Sequence, residues 1–146
     1  MRNNAYRIRY QFNAMHSLDL SIADKMHAHT FRVIAYLENV GKELEKIDTC
    51  EKIISDYFLK YKGFRMNDVP PFRELVPTIE NMCQVFYNDL AEKLSEEKVE
   101  LVKLELGDSP VASYSVGKKL LVGSAYNYIS EEQFQEYNRK VWEREG

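Results

Sequence analysis

The sequence predicts an α+β domain in which one pair of strands precedes two helices and a second pair follows them. Three observations predict this class. Two runs near the N-terminus alternate apolar and polar residues, two central runs carry apolar residues at helical spacing, and a later stretch rich in valine and leucine contains a strong turn. Strand runs separated from helix runs favour an α+β arrangement over alternating β-α units. The predicted order is β-β-α-α-β-β, followed by a C-terminal helix.

Length and composition predict a single domain over residues 1–146, with a core at about 6–122 and a C-terminal extension at 124–146. Because 45% of the residues are apolar and 29% are charged, we expect an ordered soluble protein. The net charge of −3 argues against nucleic-acid binding by phosphate neutralisation. No apolar run or leader pattern indicates a membrane span or a signal peptide, so the predicted location is cytoplasmic, with Cys50 and Cys83 reduced.

The first two predicted strands carry all three histidines of the chain. Tyr6–His16 alternates cleanly, and its apolar face ends in His16. In the second strand, His27–Glu38, the residues His27 and His29 share a face with four apolar residues. Three neutral imidazoles that converge, with a fourth position open, are typical of a catalytic Zn²⁺ site. The alternative is that they are scattered polar residues on a sheet surface.

The two predicted helices have recognisable ends. Asp48 and Glu51 are placed like a capping box at the start of the first helix, and Gly63 is a plausible stop. Thr78 is placed to cap the second helix. Glu80 falls in the first turn of that helix, where the helix dipole favours a carboxylate.

The second strand pair is predicted as a hairpin. Residues 98–106 form the third strand, 107–110 a turn, and 111–122 the fourth strand, with a bulge or bend at Gly117. A capping-box pattern predicts a final helix over residues 130–144. Two helices on one face leave the opposite face and the edges of the sheet without partners, so self-association through strand edges is expected.

Five short motifs, in order, resemble the signatures of the 6-pyruvoyl-tetrahydropterin synthase / 6-carboxy-tetrahydropterin synthase family. They are Phe-Asn-Ala-Met-His at 12–16, His-Ala-His-Thr-Phe at 27–31, Asn-Asp-Val-Pro-Pro-Phe at 67–72, Pro-Thr-Ile-Glu-Asn at 77–81, and Leu104-Glu105 followed by Tyr114. Asp48 also falls where the family has an aspartate before its first helix. The resemblance covers most of residues 6–122.

The resemblance implies a T-fold, an antiparallel β-β-α-α-β-β sheet with two helices on one face. Subunits of such folds join edge to edge into a barrel, so a homo-oligomer, a hexamer or a trimer, is implied. It also implies Zn²⁺ held by His16, His27 and His29, and a pterin substrate, 7,8-dihydroneopterin triphosphate or a relative. Glu105 would anchor the pterin ring, helped by Thr78 and Glu80. A buried carboxylate can accept two N–H bonds from the guanidine-like edge of a pterin.

The sequence departs from the family pattern at the residues that move protons. No cysteine precedes the His-x-His pair, and Lys62 and Gly63 stand where members carry an Asp-His pair. Ala28 replaces the central glycine of His-Gly-His. Asp24 is a tentative base, because one subgroup of the family lacks the cysteine and has a glutamate at this place. The alternative is that Asp24 is a solvated loop carboxylate.

Three functions follow as hypotheses. The first is a zinc-dependent pterin-synthase-like enzyme, a carbon–oxygen lyase with non-standard proton transfer. The second is an inactive relative that keeps the zinc and pterin site as a binding or assembly module, and a different reaction in the same pocket is a third. Simpler interpretations exist for the pterin residues. Glu105 is otherwise a charge on an exposed strand face, while Thr78 and Glu80 are otherwise a helix cap and a dipole-matched carboxylate.

Overall fold

The structure is a computed structural model that describes residues 6–18, 26–40, 44–122 and 125–128, without the side chains of 44, 45 and 119–128. The chain divides into two compact units, Met1–Val116 and Gly117–Gly146. Within the described part of the chain, no helix is long and apolar enough to cross a membrane.

A four-stranded antiparallel sheet forms the first unit. Its strands are β1 (Tyr6–His16), β2 (His27–Glu38), β3 (Glu100–Gly107) and β4 (Tyr114–Gly117), in the spatial order β1-β2-β3-β4. Two helices, α1 (Leu44–Phe58) and α2 (Ile79–Ser95), lie between β2 and β3 in the chain. The predicted β-β-α-α-β-β order is therefore confirmed, and both predicted N-terminal strands have the predicted bounds.

An aromatic core joins the sheet to both helices. The ring of Phe12 on β1 stacks on Phe31 of β2 at 5.4 Å and on Phe58 of α1 at 4.9 Å. Phe86 of α2 meets Phe58 edge to face at 5.0 Å. All four rings are buried, and burial of each aromatic side chain stabilises the fold by about 1.5–3 kcal/mol. Both helices therefore cover the same face of the sheet, as predicted, and we call it the helix face.

The start of the first helix was predicted wrongly. Asp48 is not the N-cap, because α1 begins at Leu44 and Asp48 lies one turn inside it. The helix before Asp48 begins with leucine, glutamate and lysine at positions 44–46, which favour a helix and extend it toward the N-terminus. The helix also ends at Phe58, before the predicted stop. Gly63 has a φ of +78°, a left-handed conformation that suits glycine, in the turns that follow the helix.

The second helix begins as predicted. The Thr78 hydroxyl accepts a hydrogen bond from the backbone N–H of Asn81 at 3.1 Å, so Thr78 is the N-cap. Glu80 lies in the first turn of α2. Cys50 and Cys83 lie in the two helices as buried free thiols, in agreement with the sequence.

The fourth strand was predicted as one element, and this is wrong. The chain bends at Lys118, directly after Gly117, and residues 111–122 supply two separate strands. The first, β4, belongs to the four-stranded sheet, while β5 (Lys119–Val122) pairs with β6 (Ala125–Tyr128) in a two-stranded sheet of the second unit. The predicted bulge or bend at Gly117 therefore lies at the end of β4, where the chain leaves the four-stranded sheet. The predicted C-terminal helix at 130–144 lies outside the described residues.

Candidate metal centre and pterin pocket

The three histidines converge at one end of the sheet. The register of β1 on β2 pairs His16 with His27 and Ala14 with His29, so all three imidazoles project from the helix face. Their ring centroids are 4.5, 4.7 and 5.1 Å apart, and one ring nitrogen from each lies within 4.8 Å of the other two. Nitrogens bound to one tetrahedral zinc ion lie about 3.4 Å apart, so small ring rotations suffice to close the set on a metal.

His16 is the buried member of the cluster. Its side chain is 2% exposed, and its Nδ1 donates a hydrogen bond of 2.8 Å to the carbonyl oxygen of Pro77. Burial lowers the pKa of His16 and outweighs the opposing effect of the Pro77 bond; His27 and His29 lower it further. The neutral imidazole is therefore favoured, which is the form that binds metals.

The other ring nitrogen of His16 is suited to a metal. Nε2 is buried and has no hydrogen-bond partner among the described residues. A buried polar atom without a partner costs about 1–3 kcal/mol, and such atoms are rare in proteins. A divalent cation held jointly with His27 and His29 satisfies this nitrogen, so the donor set fits Zn²⁺. His16 then follows the usual pattern of a metal-bound histidine whose second nitrogen is fixed by a carbonyl.

The helix start that holds Pro77 explains the Pro-Thr-Ile-Glu-Asn motif. Thr78 caps α2, and the side-chain amide of Asn81 donates a 2.8 Å hydrogen bond to the carbonyl of Val76. These two bonds fix the backbone on both sides of Pro77. The carbonyl oxygen that meets His16 is therefore placed by the first turn of the helix, although Pro77 is 61 residues from His16 in the chain.

A second long-range contact fixes the chain after His16. The Asn67 side chain accepts a hydrogen bond from the Ser17 N–H at 2.8 Å and donates one to the Ser17 carbonyl at 3.0 Å. These two hydrogen bonds hold Ser17, the residue that follows the buried His16, in place. The Asn-Asp-Val-Pro-Pro-Phe motif therefore supports the histidine cluster through its first residue, and its last, Phe72, is buried in the core.

The cluster opens toward solvent on the side of the other two histidines. His27 is exposed and His29 is partly exposed, in contrast to His16. The carboxylate of Asp108 lies 4.0 Å from His29, measured from Oδ2 to Nε2. Sequence reasoning had treated Asp108 only as a turn residue. Strand parity was the available signal, because Leu104, Leu106 and Asp108 alternate onto one face.

Glu105 lies on the opposite face of the sheet from the histidines. The register pairs it with Ile34, whereas the neighbouring residues Leu104 and Leu106 pair with the buried helix-face residues of β2. Its Oε1 forms an ion pair of 3.0 Å with Lys103, and both side chains are 19% exposed. The structure therefore does not place Glu105, the predicted ring anchor, on the same face of the sheet as the three histidines.

A small pocket surrounds Glu105. It has a volume of about 210 Å³, and its lining includes Arg32, Glu105, Ser109 and Ser113. A carboxylate, a guanidinium and two hydroxyl groups offer acceptors and donors for a polar heterocycle. The pocket is smaller than the roughly 300 Å³ at which ligand clefts usually begin.

Glu80 and Glu105 both lie near the thiol of Cys83. Burial raises the pKa of Cys83 to about 12, and the negative charges of Glu105 and Glu80 contribute. The Cys83 Sγ donates to the carbonyl of Leu104 at 3.5 Å, which packs α2 against β3. Thr78, Glu80 and Glu105, the three predicted pterin residues, therefore belong to elements in direct contact.

The residues that bear on proton transfer are the predicted base and the positions where the family carries its proton-transfer residues. Asp24 lies outside the described residues. Lys62 and Gly63 are exposed, and the Gly63 N–H donates to the Asn13 carbonyl at 2.6 Å. Burial raises the pKa of Cys50 as well as that of Cys83, so neither thiol is poised as a thiolate.

The structure is an antiparallel sheet with two helices on one face and three imidazoles clustered at its strand ends, an α+β architecture with a candidate metal centre at the rim of the sheet. The sequence model of the family described as 6-pyruvoyl tetrahydropterin synthase matches residues 6–119, and the chain belongs to this family. No protein of curated function matches the sequence.

Solved structures agree on the fold. The 6-pyruvoyl tetrahydropterin synthase of Caenorhabditis elegans superposes with a TM-score of 0.66 at 16% identity, over 78% of this chain and 94% of the other. An uncharacterized protein from Wolinella succinogenes has a TM-score of 0.51 at 13% identity, over 79% and 99% of the two chains. The four-stranded sheet with two helices is therefore a T-fold. At these identities, the similarity of structure speaks for the fold alone.

Proposed function

We propose that this protein is a zinc-dependent lyase of the pterin-synthase type that acts on 7,8-dihydroneopterin triphosphate or a related pterin. The observation that carries the proposal is the three-histidine cluster, in which His16 is fixed by Pro77 and presents a buried, unpartnered nitrogen. Family membership supports the reaction class.

The metal-binding part of the reaction is assigned to His16, His27 and His29. Zn²⁺, when bound, supplies a Lewis acid that polarises a side-chain oxygen of the substrate and stabilises developing negative charge. The partly exposed side of the cluster, at His27 and His29, is where that oxygen can reach the site. The buried side, at His16, excludes water and holds the geometry.

The pterin-binding part is assigned to Glu105, with Thr78 and Glu80. The Glu105 carboxylate accepts two N–H bonds from the pterin edge, in place of its present ion pair with Lys103. Glu80 adds a second acceptor at the start of α2. Because Glu105 faces away from the histidines, a substrate that uses both must pass around the end of β3 or extend to another copy of the chain.

The proton-transfer part is assigned to Asp24. Elimination of triphosphate requires a base that removes a proton next to the polarised oxygen and a donor that returns one. Asp24 lies three residues before His27 in the sequence, and it is one methylene shorter than the glutamate of the related subgroup. Reach matters at the ångström level, so Asp24→Glu is the informative variant beside Asp24→Ala.

Turnover of 7,8-dihydroneopterin triphosphate by the zinc-loaded protein tests the proposal. We expect product formation that disappears after chelation and returns with Zn²⁺. Asp24→Ala should lose turnover and keep zinc, while Asp24→Glu should retain part of it. Absence of product above background would contradict the lyase assignment, and equal rates in Asp24→Ala and wild type would contradict the base assignment.

A second function is favoured by one specific observation. The turn that carries Lys62 and Gly63, where the family has an Asp-His pair, offers no imidazole or carboxylate. The second proposal is therefore a relative that binds zinc and a pterin without turnover. Calorimetry with the zinc-loaded protein and 7,8-dihydroneopterin triphosphate, followed by product analysis of the same samples, separates the two: tight binding without product supports this function, and no binding contradicts both.

We also propose a cytoplasmic homo-oligomer of single-domain subunits, a hexamer or a trimer. β1 and β4 are edge strands of the four-stranded sheet, and unpaired edges are sites where sheets of several copies join. A groove of about 680 Å³ runs along β1 beside α1 and leaves that edge accessible. Sedimentation velocity of the purified protein tests the assembly, and a monomer at micromolar concentration would contradict it.

A further inference from the structure

Asp108 is a carboxylate next to the histidine cluster that no family motif includes. Its Oδ2 lies 4.0 Å from the Nε2 of His29, and the two side chains are 35% and 30% exposed. The negative charge of Asp108 also raises the pKa of His16, whereas burial lowers that pKa. Asp108 therefore lies within electrostatic reach of two of the three histidines.

The backbone before Asp108 is built to hold it there. Leu104 and Leu106 of β3 face the helices, and the next residue of the same parity is Asp108. Gly107 brings the chain into a close approach, because a Cβ at this position would lie 2.6 Å from the carbonyl oxygen of Ala112. Only glycine fits this contact, so the tight turn after β3 returns Asp108 toward the cluster.

The arrangement of atoms separates the carboxylate from the metal-binding nitrogens. The three histidine nitrogens form a compact set within 4.8 Å, and the Asp108 oxygen is not part of that set. His16 already has an acceptor behind its ring, the Pro77 carbonyl. Asp108 is placed to give His29 the equivalent support, and a shortening by about 1 Å produces a charge-assisted hydrogen bond.

We propose that Asp108 is the outer-sphere carboxylate of the metal centre. It accepts a hydrogen bond from the ring N–H of His29 that does not bind the metal, which fixes the tautomer and the ring orientation. It also adds a negative charge beside the cation. This inference rests on the proposed zinc site, and it assigns Asp108 a positioning role.

Zinc affinity, measured by competition with a chromogenic chelator, tests the proposal without recourse to activity. Asp108→Ala removes the acceptor and the charge, and we expect a loss of about 10- to 100-fold in affinity, as is typical for outer-sphere partners of metal-bound histidines. Asp108→Asn keeps a neutral acceptor and should lose less. The matched control is Asp56→Ala, an exposed aspartate on α1 that faces the C-terminal end of α2, about 25 Å along that helix from Pro77.

The visible spectrum of the Co²⁺-substituted protein distinguishes positioning from ligation. We expect Asp108→Ala to keep the band positions of wild type, because the ligand set is unchanged. Affinity within twofold of wild type, or bands shifted to a different coordination, would overturn the proposal. Thermal unfolding of the metal-free proteins checks the fold, and Asp108→Ser replaces the alanine variant if the latter does not fold.

The outcome for wild type separates this inference from the proposed function. If wild type binds no zinc, the proposed function and the inference both fail. If wild type binds zinc and Asp108→Ala binds it equally well, the inference alone fails.

Discussion

The two faces of the four-stranded sheet are prepared for ligands to different degrees. On the helix face, His16 is buried, and its orientation is fixed by Pro77 before any metal binds. On the opposite face, Glu105 is occupied by an ion pair with Lys103. The histidine cluster is therefore preorganised, whereas Glu105, the proposed ring anchor, must exchange Lys103 for the pterin. The contrast predicts that the proposed metal site and the proposed ring anchor respond separately to substitutions on the two faces of the sheet.

The largest expected effect comes from the helix face. His16→Ala removes a proposed zinc ligand together with its hydrogen bond to Pro77. Loss of an outer-sphere partner typically lowers metal affinity by about 10- to 100-fold, and we expect a larger loss of zinc affinity here. Chelator competition measures it. Pterin affinity of the metal-free protein should stay within twofold, and a parallel loss would show that the two faces are not independent.

The next effect belongs to the opposite face. Glu105→Gln removes a charged acceptor, which is worth about 1.5–3 kcal/mol, so pterin affinity should fall roughly 10- to 100-fold while zinc affinity stays unchanged. Lys103→Met is the matched variant, because it frees Glu105 of its ion pair and should leave pterin binding equal or tighter. Calorimetry with the same pterin measures the affinities of wild type, Glu105→Gln and Lys103→Met. Weaker binding by Lys103→Met would mean that Lys103 itself contacts the ligand.

A smaller effect is expected at the clamp beside His16. Asn67→Ala leaves both backbone groups of Ser17 without their side-chain partner, which should cost about 1–3 kcal/mol in the free energy of unfolding. Urea unfolding measures this loss. Asn88→Ala is the control, since Asn88 is exposed on α2 and bonds only to a side chain one turn away in the described structure. Equal stability of the two variants would show that the clamp contributes nothing.

The last prediction is that the two thiols of the native protein do not react with an alkylating reagent. Burial raises the pKa of Cys83 to about 12, and that of Cys50 is also raised, so at pH 8 both thiols remain protonated in the folded protein. Iodoacetamide should therefore modify neither cysteine in the native protein and both in urea, as read by mass spectrometry. Rapid modification of Cys83 in the native state would reopen a role for a thiol near Glu80 and Glu105.

Strand parity made the central part of the site predictable. An alternation of two residues places His27 and His29 on one face, and the register of β1 on β2 brings His16 to them. The supporting contacts were not predictable in this way. Pro77 reaches His16 through its main-chain carbonyl, and the Asn67 side chain reaches the main chain of Ser17, across 61 and 50 residues. Each contact uses a main-chain group, which every residue type carries, so the sequence does not mark it.

The errors in the predicted fold have local physical causes. Asp48 has the chemistry of an N-cap, but the helix-forming residues before it let α1 begin at Leu44. Gly117 marks a bulge or bend within residues 111–122, but a single glycine is equally compatible with one bent strand, so the pattern does not show that β4 and β5 belong to different sheets. The sequence does not mark Asp108 as part of the site, because an aspartate at this position is also typical of a turn.

The turn after α1 limits how a neighbouring strand can be added to the edge of β1. Gly63 donates to the carbonyl of Asn13, and the N–H of Met15 donates to the carbonyl of Phe64 at 3.0 Å, so the chain itself covers the histidine end of that edge. A strand from another copy can pair only with the N-terminal part of β1 and meets a stop at Asn13. One short turn thus keeps any strand that is added at the β1 edge away from the histidine end of β1.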